Sequence, residues 1–267
     1  MRTRAFVAGV RRRDSGRLCE YERKSGMLLA PRMTDMQIDV RRFPTRSEFD
    51  TALADRLEQA IRATATQSGA GFPVIMLSGG HTPLPAYREV ARRRPPHAER
   101  LTIIYSDDRY VPADSDASNY HATRPLLDAL ALPQEQVVRI RTELPLQDAA
   151  RDFEQRLRTL LDSDARIGLA LLGLGPDGHT ASLFRPEHLR QSRGHLATAV
   201  ERPDGMQGIS VTPEFLAHVT EPLFAVAGGG KHDAIAAFVR QDPELIALRA
   251  VAGCPRAELW LERAAEL

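Results

Sequence analysis

Short apolar segments alternate with longer amphipathic ones along the chain from residue 38 onward. Residues 38–43 have the pattern of a strand, and residues 47–66 carry Phe49, Leu53 and Leu57 at helical spacing. An alternation of strands and helices is typical of a parallel sheet covered by helices. The sequence therefore predicts an α/β fold with a doubly wound, mostly parallel sheet and helices on both faces, of the Rossmann-like type.

The same pattern predicts the remaining elements. Further strands are expected at 72–77, 101–105, 167–172, 196–200, 209–212 and 223–227. Helices are expected from near residue 83, at 119–130 and 148–161, from residue 213, and at 231–239. The C-terminal segment predicts a short strand at 250–252 and a helix at 256–265. Because no Gly-, Pro- or Ser-rich linker and no repeat interrupts the pattern, residues 35–267 are expected to form a single domain.

Composition narrows the class of protein. Apolar residues make up 43% of the 267 residues, which is ample for one extended core. No apolar run approaches the roughly 20 residues of a membrane helix, so we predict a cytoplasmic protein with no membrane partner. The two cysteines, Cys19 and Cys254, lack the spacing of a metal or redox motif, and no disulfide framework is expected.

Charge is unevenly distributed along the chain. Residues 1–34 carry nine Arg or Lys and three acidic residues, whereas residues 35–267 carry 27 and 32. A mildly acidic body is a poor nucleic-acid binder, so no nucleic-acid partner is expected. The basic segment has weak periodicity and no apolar core for a secretory signal. It is expected to be a disordered extension, or the product of a start codon assigned upstream of Met33 or Met36.

The strongest chemical signal directly follows the strand predicted at 167–172. The segment GLGPDGHTASLF, residues 173–184, places Asp177 and His179 on a glycine-rich loop. Open α/β sheets bind their ligands at the carboxyl ends of strands, where this loop is expected to lie. The alternative is a tight turn in which the Asp caps a helix and the His is solvated. The combination of Asp, Gly and His favours a reactive site.

A second loop has the composition of a phosphate cradle. Ser78, Gly79, Gly80, His81 and Thr82 lie between a predicted strand and a helix. Free backbone amides at a helix N-terminus, with hydroxyl groups beside them, suit a phosphate. The loop lacks the lysine of a nucleotide P-loop and the dinucleotide Gly pattern, so a monophosphate fits better. An ordinary glycine turn capped by Ser or Thr is the alternative.

Two further loops add charge at predicted strand ends. Asp107, Asp108 and Arg109 follow one strand, and Lys231 follows three glycines after another. Taken singly, the first could be a solvated charge cluster and the second a hinge. Because four such loops would meet at one edge of the sheet, the sequence predicts a pocket there that could hold a phosphate group.

These motifs resemble the 6-phosphogluconolactonase family, a branch of the group that includes the glucosamine-6-phosphate deaminases. The resemblance runs from about residue 39 to the C-terminal segment. It rests on residues 78–83, on 107–109 with 111–112 and 118–120, on 173–184, and on Gly228 with Lys231. It implies hydrolysis of 6-phospho-D-glucono-1,5-lactone, the second oxidative step of the pentose phosphate pathway. It also implies a small-molecule sugar-phosphate lactone as partner, no metal and no organic cofactor.

The resemblance also implies roles for particular residues. His179 would be the general base that deprotonates water, and Asp177 would orient or support its imidazole. The oxyanion would be stabilised by loop amides or by Arg109. The implied substrate-binding set is Ser78, Gly79, Gly80, His81, Thr82, Asp107, Arg109 and Lys231. A monomer or weak homo-oligomer is expected.

The sequence departs from the family pattern at several positions. His81 stands where Ser is usual, Tyr105 where Trp is common, and Asp108 where Glu is usual. Arg185 interrupts an expected Phe-Pro, and Gly208 stands where an Arg commonly opens a strand. We hypothesise that His81, which can be protonated at mildly acidic pH, partly replaces that Arg beside a phosphate.

Two other functions stay open at this stage. In an amino-sugar-phosphate deaminase or isomerase, Asp107 would be the base. Similar deaminases carry a Glu five residues after the histidine, where this chain has Phe184, which argues against deamination. The third possibility is a non-catalytic sugar-phosphate sensor, which the glycine at Gly208 favours and the intact Asp177 and His179 disfavour.

Overall fold

The computed structural model describes residues 36–66, 71–95 and 98–266. The basic extension predicted for residues 1–34 lies outside them. Within the described part, the core of the fold is a seven-stranded sheet in which every paired strand is parallel to its neighbour. No described helix combines the length and apolar character needed to cross a bilayer.

The elements follow one another in nearly the order that the sequence pattern predicts. The strands are β1 Gln37–Phe43, β2 Pro73–Leu77, β3 Thr102–Tyr105, β4 Asp107–Arg109, β5 Val137–Val138, β6 Arg166–Leu172, β7 Ala197–Glu201, β8 Gln207–Val211, β9 Val219–Val226 and β10 Arg256–Glu262. The helices are α1 Arg46–Thr66, α2 Leu84–Arg93, α3 Asn119–Leu130, α4 Leu146–Asp162, α5 Pro186–Gln191, α6 Pro213–Leu216, α7 His232–Val239 and α8 Ile246–Ala250. The large sheet has the order β1-β10-β9-β6-β2-β3-β5.

Helices cover both faces of this sheet, as predicted. Successive side chains of β2 point to opposite faces: Val74 and Met76 enter one core, while Ile75 and Leu77 enter the other. The first core includes buried residues of α4, α7 and α8, and the second includes buried residues of α1, α2 and α3. A strand buried on both faces reads as a continuous apolar run, which is the sequence of β2.

A smaller antiparallel sheet, of order β4-β8-β7, packs beside the large one. The chain passes from β3 into β4 through Ser106, whose amide donates to Leu77 O (2.9 Å) and whose carbonyl accepts from Val211 N (2.8 Å). This residue therefore ties the end of β2 to the end of β8. The small sheet places Asp107 and Arg109 above the carboxyl edge of the large one.

Two predictions for the C-terminal segment are wrong. The predicted helix at 256–265 is β10, which lies between β1 and β9 in the large sheet. Its Ala, Leu, Glu and Arg content favours a helix by intrinsic propensity. However, Leu259 and Leu261 enter one core and Trp260 the other, and burial on both faces outweighs that propensity. The predicted strand at 250–252 is the end of helix α8 and the turn after it.

Candidate active site

Loops from four neighbouring strands meet in one cleft at the carboxyl edge of the sheet. The cleft has a volume of about 370 Å³, which accommodates a single sugar phosphate. Every predicted substrate-binding residue lines it, together with His179. The lining comprises Ser78, Gly79, Gly80, His81, Thr82, Pro83, Asp107, Arg109, Asn119, Gly173, Leu174, Gly175, Pro176, His179, Ala181, Arg202, Ala225, Ala227 and Lys231. Asp177 is outside this lining and contacts His179.

His179 and Asp177 form a hydrogen-bonded pair between His179 Nδ1 and Asp177 Oδ1. The same oxygen accepts from the His179 amide at 3.3 Å. Burial tends to raise the pKa of Asp177, but the hydrogen bond and charge of His179 outweigh it and hold the pKa below its usual value. Because Asp177 is then ionised, Nδ1 carries the proton and donates. The lone pair of Nε2 is left available as a base.

The position of the imidazole is set by a glycine on one side and an aromatic ring on another. A Cβ added to Gly175 would lie 2.6 Å from Asp177 Oδ1 and closer still to the imidazole. The Phe184 ring packs against the imidazole, with ring centroids 4.3 Å apart. The amide of Phe184 donates to His188 Nδ1 (3.1 Å). Burial lowers the pKa of His188, with a further contribution from the charge of Arg185, so this nitrogen stays an acceptor.

The Ser78 loop, residues 78–82, leads into α2, and a tyrosine of that helix holds the backbone of its first residue. The hydroxyl of the buried Tyr87 donates to Ser78 O (2.9 Å) and accepts from Ser78 N (3.3 Å). Gly80 has a φ of +88°, in the left-handed region that glycine tolerates. Within the described part of the chain, the amides of residues 79–82 have no recorded acceptor. Unpaired amides at the start of a ten-residue helix can bind an anion.

Asn119 joins the Ser78 loop to the small sheet. Its Nδ2 donates to Asp107 O (2.8 Å), and its Oδ1 accepts from Arg109 Nη1 (3.1 Å). The same guanidinium nitrogen donates to Ala117 O (3.0 Å). Asn119 packs so closely on Gly79 that a Cβ there would overlap its side chain. Arg109 is therefore fixed in orientation beside the cleft.

Asp108 has a structural role, unlike its neighbours. Its carboxylate accepts from the amides of Arg109 (2.8 Å), Asn119 (2.7 Å) and Tyr120 (3.2 Å), and from Ser118 Oγ (3.0 Å). Burial raises its pKa to about 6, against the effect of these donors. Asp108 holds the N-terminus of α3 and with it the position of Asn119.

Lys231 stands at the N-terminus of α7, on the β9 side of the cleft. Burial lowers the pKa of its ammonium group, and the nearby charge of Arg46 lowers it further. Arg46 Nη2 donates to the carbonyls of His81 and Thr82, both at 3.3 Å. Arg46 thus holds the Ser78 loop beside Lys231.

Three residues of this site are absent from the sequence-based set. Asn119 and Ser182 lie within the family motifs at 118–120 and 173–184 but are not in the predicted substrate-binding set, and Arg202 lies outside every motif. Ser182 Oγ donates to Asp107 Oδ2 (2.6 Å) and accepts from Arg202 Nη1 (2.8 Å). Arg202 lies in the hairpin between β7 and β8, far from the other motifs along the chain. No local pattern signals it.

Among the described residues, no three His, Cys, Asp or Glu side chains gather into a candidate metal site. The fold and the cleft define a doubly wound α/β enzyme for a small anionic substrate. The chain belongs to the glucosamine-6-phosphate isomerase/6-phosphogluconolactonase family, whose family model matches residues 44–260. This confirms the resemblance drawn from the four motifs.

Curated relatives and solved structures agree with this assignment. The chain is 34% identical over 172 residues to 6-phosphogluconolactonase of Thermotoga maritima, covering 63% of this chain and 76% of the relative. It is 33% identical over 199 residues to the Homo sapiens protein of that name, covering 71% and 76%. A crystal structure of the T. maritima enzyme superposes with a TM-score of 0.73 at 25% identity, covering 85% of this chain and 100% of that one. A monomeric glucosamine-6-phosphate deaminase shares the fold, with a TM-score of 0.68 at 14% identity, covering 85% and 98%.

Proposed function

We propose that this protein hydrolyses 6-phospho-D-glucono-1,5-lactone to 6-phospho-D-gluconate. One observation carries the proposal: His179, hydrogen-bonded to Asp177, lines the same cleft as the Ser78 loop and Lys231. A base for water and an anion cradle therefore line one cleft of about 370 Å³. Curated relatives named 6-phosphogluconolactonase, covered over most of their length, support this substrate.

The reaction proceeds by general-base catalysis. His179 Nε2 takes a proton from water while the water oxygen forms a bond to the lactone carbonyl carbon. The tetrahedral intermediate then breaks its bond to the ring oxygen, and the imidazolium returns the proton to that oxygen. Asp177 acts through His179 as a positioning residue, because it fixes the tautomer and supports the transient positive charge.

The other cleft residues bind and polarise the substrate. The phosphate would be held by the free amides of residues 79–82 and by the ammonium group of Lys231, which line the same cleft. The tetrahedral oxyanion needs a donor, and losing such a donor typically costs about 3 kcal/mol. The loop amides of Gly173 and Leu174 and the oriented guanidinium of Arg109 line the cleft as the candidate donors, because Pro176 has no N–H and the Gly175 amide donates to His179 O. His81 belongs to the phosphate side of the cleft.

Deamination of an amino-sugar phosphate is the less favoured function. The position five residues after His179 is Phe184, whose ring packs on the imidazole at 4.3 Å. An aromatic ring cannot exchange protons with a ring-opened substrate. A binding-only sensor is disfavoured because the His179–Asp177 pair is fully formed.

A paired assay tests the proposal. In one assay, purified protein is given the lactone and the release of acid is followed at constant pH. In a parallel assay, the protein is given glucosamine 6-phosphate and the release of ammonia is measured. Lactone hydrolysis without ammonia release is expected, and His179→Ala should lower kcat about 10²- to 10⁴-fold. His195→Ala is the matched control, because His195 is exposed and bonded to Glu154 outside the cleft. Binding of 6-phospho-D-gluconate without turnover would instead establish the sensor.

We further propose that the protein works as a monomer or weak homo-oligomer, in the cytoplasm, without a nucleic-acid partner. The mildly acidic composition of residues 35–267 supports the last point.

A further inference from the structure

Arg202 presents a guanidinium group to the cleft from outside the four motif loops. It lies in the hairpin between β7 and β8, where its amide donates to Met206 O (2.9 Å). Its side chain is only 11% exposed and lines the same cleft as His179 and Lys231. Arginine side chains are seldom this buried unless they are paired, so the groups that contact Arg202 indicate its role.

The guanidinium group is held on several sides. Nη1 donates to Ser182 Oγ (2.8 Å) and lies 4.0 Å from Asp107 Oδ2. Nε and Nη2 both donate to Asp204 Oδ2, at 3.2 and 3.1 Å. The central carbon lies 5.1 Å from the centroid of the Phe184 ring, the ring that also packs on His179. These contacts fix its orientation before any ligand binds.

Gly208 provides the space for this side chain. Gly208 lies near Arg202 in the hairpin, and a Cβ added to it would stand 3.2 Å from Arg202 Cδ. It would also stand 3.3 Å from Asp108 O and 3.4 Å from Ser182 Oγ. Separations of 3.0–3.4 Å are tighter than most real Cβ contacts, so any side chain here would press on the aliphatic part of Arg202.

The donors of Arg202 are only partly used. A guanidinium side chain has five N–H groups, and the bonds to Ser182 and Asp204 account for three. One N–H on Nη1 and one on Nη2 have no recorded acceptor among the described residues. These are the two nitrogens with which arginine binds a phosphate in bidentate fashion.

We propose that Arg202 is a substrate-binding residue that contacts the phosphate of the sugar phosphate through Nη1 and Nη2, a contact made possible by the missing side chain at Gly208. The proposal rests on the proposed function for the identity of the substrate. The phosphate dianion of the substrate carries more charge than Lys231 alone can balance. Arg109 Nη1 already donates to Ala117 O and Asn119 Oδ1. Asp204 is 42% exposed and is a weak competitor for the guanidinium in water.

Two substitutions at Arg202 test the contact. Arg202→Met keeps an extended side chain and removes all hydrogen-bond donors. Arg202→Lys keeps the positive charge but not the paired N–H groups of a guanidinium. We expect Arg202→Met to raise KM for the lactone and Ki for both 6-phospho-D-gluconate and inorganic phosphate about 10- to 100-fold. Arg202→Lys should give an intermediate loss, and kcat should stay within about threefold, because the contact is equal in ground and transition states. Arg190→Met is the control, since Arg190 pairs with Glu187 outside the cleft.

A double-mutant cycle separates a contact from a packing effect. Gly208→Ala should raise KM about 2- to 5-fold by displacing Arg202, and should change nothing further in the Arg202→Met background. A fully additive effect would mean that Gly208 acts independently of Arg202 and would overturn the proposal. Thermal unfolding of each variant checks that the fold is retained, and the Ki values of Arg202→Lys carry the test if Arg202→Met does not fold.

The outcomes distinguish this inference from the proposed function. If wild-type protein hydrolyses the lactone but Arg202→Met leaves both Ki values unchanged, the inference fails and the function stands. If wild-type protein does not hydrolyse the lactone, yet binds 6-phospho-D-gluconate more weakly after Arg202→Met, the function fails and the contact stands. Loss of 6-phospho-D-gluconate affinity with unchanged inhibition by inorganic phosphate would place Arg202 at the sugar end and refute the phosphate contact.

Discussion

Gly175→Ala offers the sharpest test of the geometry around the base. Gly175 lies outside the left-handed region of φ, so an alanine there adds no backbone strain. The hydrogen bond that its amide donates to His179 O (3.0 Å) is also retained. The only change is one methyl group between the loop backbone and the His179–Asp177 pair. Any loss of activity can therefore be assigned to displacement of that pair.

The size of the effect follows from the distances. The new Cβ would lie 2.6 Å from Asp177 Oδ1 and nearer still to the imidazole, whereas real Cβ contacts are seldom under 3.4 Å. The carboxylate must therefore retreat by about 0.8 Å, and the imidazole by more. A displacement of about 1 Å in a catalytic group can cost about 10²-fold in rate. We expect kcat to fall about 100-fold with KM nearly unchanged, because the phosphate cradle is on other loops.

The assay is steady-state lactone hydrolysis by Gly175→Ala beside a matched glycine variant. Gly168→Ala is the control, since Gly168 lies in β6, away from the cleft, and an added Cβ meets nothing within 4 Å. Both variants should keep the thermal stability of the wild type to within a few degrees. A kcat within threefold of wild type for Gly175→Ala would show that the pair does not need its observed position. The general-base assignment would then be refuted.

Three other substitutions test the remaining parts of the site. Lys231→Met should weaken binding of 6-phospho-D-gluconate by about 1.5–3 kcal/mol. Burial, and then the charge of Arg46, lower the pKa of Lys231 below 10.5. The affinity of the wild type for 6-phospho-D-gluconate should therefore fall as the pH rises through that lowered pKa. Titration calorimetry should show no such fall in affinity for Lys231→Met. Asp108→Ala should destabilise the fold by about 3 kcal/mol in urea, because buried amides lose their acceptor, whereas the exposed Asp128→Ala should change stability by under about 0.5 kcal/mol. His81→Ser should raise the Ki of 6-phospho-D-gluconate about 2- to 10-fold at constant pH, and an unchanged Ki would remove His81 from phosphate binding.

The parts of the site that the sequence predicts are those encoded locally. Ser78 to Thr82 and Asp177 to His179 each combine glycines with reactive side chains in a single loop after an apolar strand. The backbone at a strand end positions such a loop with little help from distant residues. For that reason the cleft contains every predicted substrate-binding residue, and helix α3 has the predicted bounds.

The parts that sequence reasoning misses depend on contacts between distant segments. Strand β10 reads as a helix because its propensity is helical, and only pairing with β1 and β9 makes it a strand. Asp108 belongs to a charged loop in the sequence, and its structural role is visible only in its hydrogen bonds to the start of α3. Arg202 has no motif of its own, and its importance comes from the space over Gly208 and from Ser182.

Phe184 connects the two ends of the site in a way that bears on its chemistry. One aromatic ring contacts the His179 imidazole at 4.3 Å and the Arg202 guanidinium at 5.1 Å. A carboxylate in this position would pair with Arg202 and occupy the N–H groups that are otherwise open to a ligand. It would also favour the protonated imidazole, which cannot accept a proton from water. An apolar ring positions both groups by packing and adds no charge, so His179 can act as a base while Arg202 keeps its donors for the substrate.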